Sequence, residues 1–285
     1  MKICDLFLSQ DKTFSFEFFP PHDEISAVDF GINVGRLMKL SPSFVTVTYG
    51  AGGSTQERTF ALVDYLQNKI GLTTMAHYTC VNATKERIKK DLDSLVKKGI
   101  KNLMLLRGDP PKGENKFIPK KNGFRYASEL IDYVEQHYDF CKAGAAYVEK
   151  HPEAISLSED ILNLKTKVDA GADFLITQLF FNNSYYFDFI KLVHKEGITC
   201  RIIPGIIPIT SYHQIERFTK MAATKIPSHL CSEITQHKNN PEKMYDIGVN
   251  FTINQCKELL AKGAPGIHFY TLNKSRATIE IFESL

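Results

Sequence analysis

Short runs dense in β-branched and aromatic residues alternate along the chain with longer stretches whose apolar residues recur at helical spacing. The runs cover 14–19, 44–49, 73–79, 102–107, 141–147, 174–179, 200–206 and 266–272. Between and after them the spacing predicts helices over 24–40, 55–69, 84–98, 126–138, 157–170, 184–196, 211–222, 242–262 and 274–284. Strict strand and helix alternation requires a parallel sheet, because parallel neighbours need a crossover and a helix supplies it. Eight right-handed units close naturally into a ring. The expected fold is therefore α/β: an eight-stranded parallel β/α (TIM) barrel with extra helical material before the last strand. An open doubly wound sheet is the competing arrangement. Boundary signals agree with the pattern: Ser54 precedes Glu57 with capping-box spacing, and Thr84 precedes Arg87 after a turn at Asn82. Gly71, Gly99, Gly171, Gly197 and Gly263 each follow an apolar periodic stretch, where a left-handed cap favours a residue without Cβ. No Pro-rich or Ser-rich linker interrupts the series, so residues 1–285 read as one catalytic barrel domain. Its departures are a long loop over 109–125 and the added material from Pro227 onward.

Composition narrows the function classes. The 43% hydrophobic and 24% charged residues, with 17 Gly and 12 Pro, are globular values and exclude collagen, coiled-coil and disordered chains. A net charge of +3 is too small to predict a nucleic-acid footprint. Cys4, Cys80, Cys141, Cys200, Cys231 and Cys256 lie far apart without a CxxC pair, which reads as reduced thiols in a cytoplasmic protein. No leader or membrane span is expected, and small-molecule chemistry becomes the default.

In a β/α barrel the reactive face forms at the carboxyl ends of the strands. The polar residues there are Glu17, Thr48, Tyr49, His77, Arg107, Asp109, Tyr147, Gln178 and Tyr270. Glu17 is the sharpest feature, because period two sets Phe14, Phe16 and Phe18 on one face and Ser15, Glu17 and Phe19 on the other. A carboxyl mid-strand among aromatics reads as a general acid; the structural alternative is an ion pair to a barrel Arg such as Arg107. Arg107-Gly108-Asp109 offers an anion contact, a close backbone approach and a carboxylate for a positive charge, or else an ordinary strand-end turn. Lys112, Lys116, Lys120, Lys121 and Arg125 follow as phosphate contacts or a solvated run. Asp160, Asn163 and Lys167 share one helix face. His77 reads more readily as a core histidine than a ligand, no metal is expected, and neither GxGxxG nor a P-loop is present.

Ordered motifs then become informative together: Phe16-Glu17-Phe18-Phe19-Pro20-Pro21, Val47-Thr48-Tyr49-Gly50-Ala51, His77-Tyr78-Thr79-Cys80, Leu106-Arg107-Gly108-Asp109, Ala145-Ala146-Tyr147, His151-Pro152-Glu153-Ala154, Ile176-Thr177-Gln178 and His268-Phe269-Tyr270-Thr271-Leu272-Asn273. This series resembles the bacterial methylenetetrahydrofolate reductases from about residue 13 onward. The resemblance implies a cytoplasmic FAD enzyme that passes electrons from NADH or NADPH to 5,10-methylenetetrahydrofolate, giving 5-methyltetrahydrofolate for methionine synthesis. It implies Glu17 as the acid that opens the folate ring and Asp109 as the carboxylate beside flavin and pterin. Thr48 would lie at the nicotinamide, while Tyr49, Ala51, His77, Arg107, Gly108, Asp109, Tyr126, Ala127, Tyr147, His151, Ala154, Asp160, Asn163 and Lys167 would hold FAD. Asp109, Gln178, Gln214, Phe218 and Lys274 would contact folate, the two α-helical residues Gln214 and Phe218 also nicotinamide. The chain departs from the family pattern at Lys274, commonly Arg, at Thr166, commonly basic, and in a longer Lys-rich loop. The resemblance further implies a homo-oligomer without the eukaryotic regulatory domain, hence without adenosylmethionine inhibition. Two other functions compete: a different flavin barrel oxidoreductase, such as a proline dehydrogenase, and a flavin-binding subunit reduced by a protein partner.

Overall fold

Single residues set many of the element boundaries. The computed structural model describes residues 1–50, 56–110, 113 and 117–285. In chain order the elements are α1 (Ile3–Leu6), β1 (Thr13–Phe18), α2 (Glu24–Met38), β2 (Phe44–Val47), α3 (Gln56–Asn68), β3 (Thr74–Thr79), α4 (Lys85–Lys97), β4 (Asn102–Leu106), α5 (Ala127–His137) and β5 (Cys141–Ala146). There follow α6 (Leu157–Asp169), β6 (Phe174–Thr177), α7 (Asn183–Lys195), β7 (Arg201–Ile203), β8 (Gly205–Ile206), α8 (Tyr212–Ala222), α9 (Ser228–Gln236), α10 (Pro241–Ala261), β9 (Gly266–Tyr270) and α11 (Arg276–Phe282). Asp23 and Ser26 form a reciprocal capping box on α2, and the hydroxyls of Thr84 and Ser156 accept from the amides of Arg87 and Glu159. The five glycines expected to end helices all have φ between +72° and +111°. The expected Ser54 cap lies outside the described residues.

All strand pairs are parallel, in the order β7-β6-β5-β4-β3-β2-β1-β9-β8. The sheet has nine strands rather than the expected eight. The cause is Pro204, which splits the run over 200–206: proline has no N–H to give to a ladder. Its first half pairs with β6 and its second with β9, so the two ends of the sheet meet across one residue and the barrel is nearly closed. Pro204 keeps its acceptor role, receiving the His268 amide at 2.9 Å.

Strand alternation divides the apolar residues into two layers. Outward-facing Phe16 and Phe18 meet Phe282 of α11 and Phe30 of α2 at ring distances of 6.2 and 5.7 Å. Each such fully buried phenylalanine contributes about 1.5–3 kcal/mol relative to exposure. Inward-facing Phe44, Met75, Met104, Cys141, Phe174 and Ile203 fill the amino-terminal end of the barrel together with Ile3 and Leu6 of α1. The short helix α1 is a plug that no periodicity announced. Asn102 fixes it by accepting the Ile3 amide at 2.7 Å and donating to the Met1 carbonyl at 3.1 Å. With this end packed, the polar inward positions fall toward the carboxyl end.

Candidate active site at the carboxyl end of the barrel

Glu17 sits inside the barrel near the end of β1, 6% exposed. Its register partners are Thr46 on β2 and Tyr270 on β9. Carboxylate Oε2 lies 3.6 Å from His77 Nε2 and 3.7 Å from His268 Nε2, beyond hydrogen-bond range. Burial drives the His77 imidazole down to about 4, with Glu17 opposing the shift and His268 adding to it. His77 is therefore neutral at physiological pH, and its Nε2 has no hydrogen-bond partner despite being buried. His268 is fixed from its other side, Nδ1 sharing a 2.8 Å hydrogen bond with Ser15 Oγ.

No guanidinium reaches Glu17. Arg107, the alternative partner considered from sequence, instead makes a two-pronged pair with Glu153 at 2.6 and 2.7 Å and stacks over Phe117 at 5.1 Å. Among the described residues, the Glu17 carboxyl is thus left without the guanidinium or ammonium that a structural ion pair would require.

A second group lines the rim at the ends of β4 and β5 and along α6. Gly108 turns there with φ +88°, and a Cβ would come within 2.8 Å of Val81 Cγ1, so backbone and neighbouring loop pass closely only because the side chain is absent. Asp109 follows, exposed; the Glu153 hydrogen bonds raise Arg107, and the Asp109 charge adds a smaller push in the same direction. Burial first, then Asp109 and Asp160, push the Tyr147 phenol up to about 12. Tyr147 meets the His151 ring edge-on at 4.7 Å, and the His151 amide donates to Asp160 at 2.8 Å. Ala154 offers its carbonyl to Lys150 Nζ at 2.6 Å. Lys167 crosses Gly144, where a Cβ would lie 2.8 Å from its Cδ, and donates to the Ala145 carbonyl. Desolvation lowers this ammonium to about 8, with Asp160 opposing. Asn163 and Thr166 are exposed on the same helix; Thr166 Oγ1 donates back to the Leu162 carbonyl.

The remaining expected residues are more scattered. Thr48 is held by its backbone, its amide donating to Phe18 and its carbonyl accepting from Thr59 Oγ1. The Tyr49 ring packs outward on Phe60 and Tyr78, so its side chain does not join Glu17. Ala51, Lys112 and Lys116 lie outside the described residues. Tyr126 is exposed before Ala127 at the start of α5, with Arg125 over its ring at 5.5 Å. Gln178 Oε1 accepts from the Leu179 amide at 2.9 Å. Gln214 braces its own loop, accepting from Thr210 N and Oγ1 and donating to the Pro208 carbonyl. Phe218 packs with Tyr270 and Leu272 on a separate apolar cluster, and Lys274 is exposed in the loop after β9.

Three contributors were not singled out from sequence. His268 flanks Glu17, Glu153 neutralises Arg107, and Asn273 clamps the end of β1 by accepting the Phe19 amide and donating to its carbonyl. His268 carried a usable signal, since it lies two residues before Tyr270 and so shares its inward face.

The sequence model described as methylenetetrahydrofolate reductase matches residues 2–285. "Methylenetetrahydrofolate reductase (NADH) 1" of Zea mays is 38% identical over 283 residues, covering 95% of this chain and 48% of the relative. This chain thus spans about half the length of the plant relatives it matches. The 5,10-methylenetetrahydrofolate reductases of Salmonella typhimurium and Escherichia coli are each 36% identical over 271 residues, which is 95% of this chain and 90% of theirs. Among solved structures, a Clostridium thermocellum protein that binds two copies of 5-methyl-5,6,7,8-tetrahydrofolic acid superposes with a TM-score of 0.67 at 15% identity, over 98% of this chain and 95% of that one, a likeness of fold. A near-closed parallel barrel carrying an inward carboxyl, matched along nearly its whole length by one family and at 36% identity by near-full-length bacterial members, identifies the chain as belonging to the methylenetetrahydrofolate reductase family.

Proposed function

We propose that this chain reduces 5,10-methylenetetrahydrofolate to 5-methyltetrahydrofolate, with FAD bound at the barrel mouth and NADH or NADPH as the electron donor. The observation that carries the reading is Glu17: a buried carboxyl at the reactive end of the barrel, beside two imidazoles and, among the described residues, free of any guanidinium or ammonium pair. The solved relative's folate ligand and the NADH in the plant relatives' names point the same way.

The residues present fit a flavin dinucleotide. His77 offers an orphaned buried nitrogen, and Lys167 a desolvated ammonium whose hydrogen-bond partner among the described residues is the Ala145 carbonyl. With the α6 face they would supply donors to diphosphate and ribose, and Arg107 would join them by exchanging Glu153 for the anion. Bound there, the flavin would supply hydride transfer between nicotinamide and folate. Glu17 gives its proton to the bridge nitrogen of the folate, that carbon–nitrogen bond breaks, and the positive charge passes to the remaining iminium. Hydride addition to the methylene carbon then completes the methyl group. Asp109, a carboxylate at the rim, favours that cation while it lasts. Neutral His77 and Ser15-anchored His268 pack beside the Glu17 carboxyl without hydrogen-bonding to it.

The test is anaerobic. The flavin-loaded protein is mixed with NADH and the flavin absorbance followed, then methylenetetrahydrofolate is added and methyltetrahydrofolate measured. Bleaching followed by stoichiometric reoxidation and product formation is the expected result. Bleaching by proline with no response to the folate would overturn the reading, and so would a flavin that neither nicotinamide reduces.

A further inference from the structure

Arg107 and Glu153 meet as two forks, and the two partners are held very differently. The guanidinium belongs to the scaffold: Arg107 stands one residue beyond β4, its side chain is 20% exposed, and Phe117 covers it at 5.1 Å. Glu153 comes from the turn between β5 and α6, and its side chain is 58% exposed. That turn is braced without the carboxylate. Lys150 Nζ donates to the carbonyls of His151 and Ala154 at 3.1 and 2.6 Å, and the His151 amide donates to Asp160 at 2.8 Å. The Glu153 amide donates to His151 Nδ1 at 3.1 Å, and the Ala154 amide returns to the His151 carbonyl at 3.0 Å. Among the described residues, both hydrogen bonds of the Glu153 carboxylate go to Arg107. The carboxylate can therefore swing away while the turn keeps its shape and the guanidinium stays under Phe117.

A carboxylate in the fork of an arginine takes the same two parallel hydrogen bonds that a phosphate would take. The Arg107 hydrogen bonds hold the Glu153 carboxyl below its usual range, so it is charged at neutral pH. An anion that reaches Arg107 must displace one already bound there. We propose that Glu153 is a resident competitor for the flavin's diphosphate: it occupies Arg107 in the flavin-free protein, gives way when the dinucleotide arrives, and recaptures the guanidinium as the dinucleotide leaves. It thereby lowers flavin affinity and quickens flavin release, while keeping a half-buried guanidinium neutralised in the empty site. This role rests on the barrel mouth being a flavin dinucleotide site.

Flavin release is measured by diluting the loaded protein and following flavin fluorescence, and affinity by titrating FAD into the flavin-free protein. Glu153→Gln keeps the size of the side chain and removes its charge. It should tighten FAD binding by roughly two- to five-fold, the range set by a partly exposed ion pair, with slower release. The same substitution in an Arg107→Met background should leave FAD affinity unchanged, because no guanidinium is contested there. Arg107→Lys replaces that background if circular dichroism shows the methionine variant unfolded or its binding is too weak to titrate; a point charge in place of the fork should shrink the effect. In chemical denaturation Glu153→Gln should lower the midpoint of the flavin-free protein and not that of the FAD-saturated one, a contrast that mere loss of a structural contact would not produce. A Glu153→Gln protein that holds FAD no more tightly than the parent overturns the proposal and leaves the flavin site standing. An equal gain with and without Arg107 also overturns it, since Glu153 would then be only a distant repulsive charge. A parent that binds no FAD removes the flavin site and the proposal together.

Discussion

Glu17→Gln separates the two halves of the proposed reaction. The amide keeps the size of the side chain and removes the proton that opens the folate ring. Among the described residues the carboxyl makes no hydrogen bond, its nearest polar approaches being 3.6 and 3.7 Å to His77 and His268, so the substitution strands no strong partner. A buried carboxyl without a cation is itself a cost to the fold, and the thermal midpoint should stay level or rise. General acid catalysis is worth about 10²–10⁴ in rate. At 1.36 kcal/mol per factor of ten this is about 3–5 kcal/mol of barrier restored in the folate half-reaction. Reduction of the flavin by nicotinamide involves no such protonation and should proceed within about two-fold of the parent. Stopped-flow absorbance measures each half alone. A variant that reduces methylenetetrahydrofolate at the parent rate refutes the acid role, and equal loss in both halves would make Glu17 a structural or flavin-positioning carboxyl.

Four further outcomes are expected. His77 falls from 6.5 to about 4 on burial, so the unfolded chain takes up a proton between those values that the native one does not. Its contribution is present above pH 6.5 and is lost as pH falls toward 4, by up to about 3 kcal/mol, and His77→Gln should flatten denaturant midpoints across that window. Lys167→Met should leave the flavin-free protein as stable or more so, since it removes a desolvated ammonium, yet weaken FAD affinity at least ~10-fold by titration, because the anion loses its cation. Gly205→Ala should lower stability by about 1–3 kcal/mol or more in chemical denaturation, as its Cβ would overlap the Thr177 carbonyl and lie 2.6 Å from Tyr270 Oη. Asp109→Asn should slow folate reduction more than it lowers flavin occupancy, because it deletes a charge at an exposed position and leaves the fold untouched; equal losses in one preparation would make it a binding residue.

The alternation of strands and helices was legible because each element carries its own period and its own punctuation. Thr84, Gly71 and Gly171 act on the backbone within a few residues of themselves, and such local chemistry reads directly from the chain. Glu17 was equally visible, since period two sets a carboxyl opposite Phe14, Phe16 and Phe18 near the end of a strand. Its surroundings were not. His268 reaches it only because closure of the sheet lays β9 beside β1, and Ser15 and His268, bonded to one another, stand 253 positions apart. The same holds for Arg107, which the sequence offered to Glu17 and the fold gave to Glu153, and for Tyr49, whose place at a strand end said nothing of which way its ring would pack. Pro204 was in plain view, but whether a proline ends a strand or merely notches it depends on the neighbours that pair on either side. The four residues of α1 have too few turns for any period, and only the hollow end of the barrel makes them a plug. Sequence fixes what is decided within a turn of helix or a few residues of strand: element type, caps, and which chemistry stands at each strand end. Pairings between distant residues depend on closure of the ring, where the shared burial of many side chains selects one register, and no local segment carries that energy by itself.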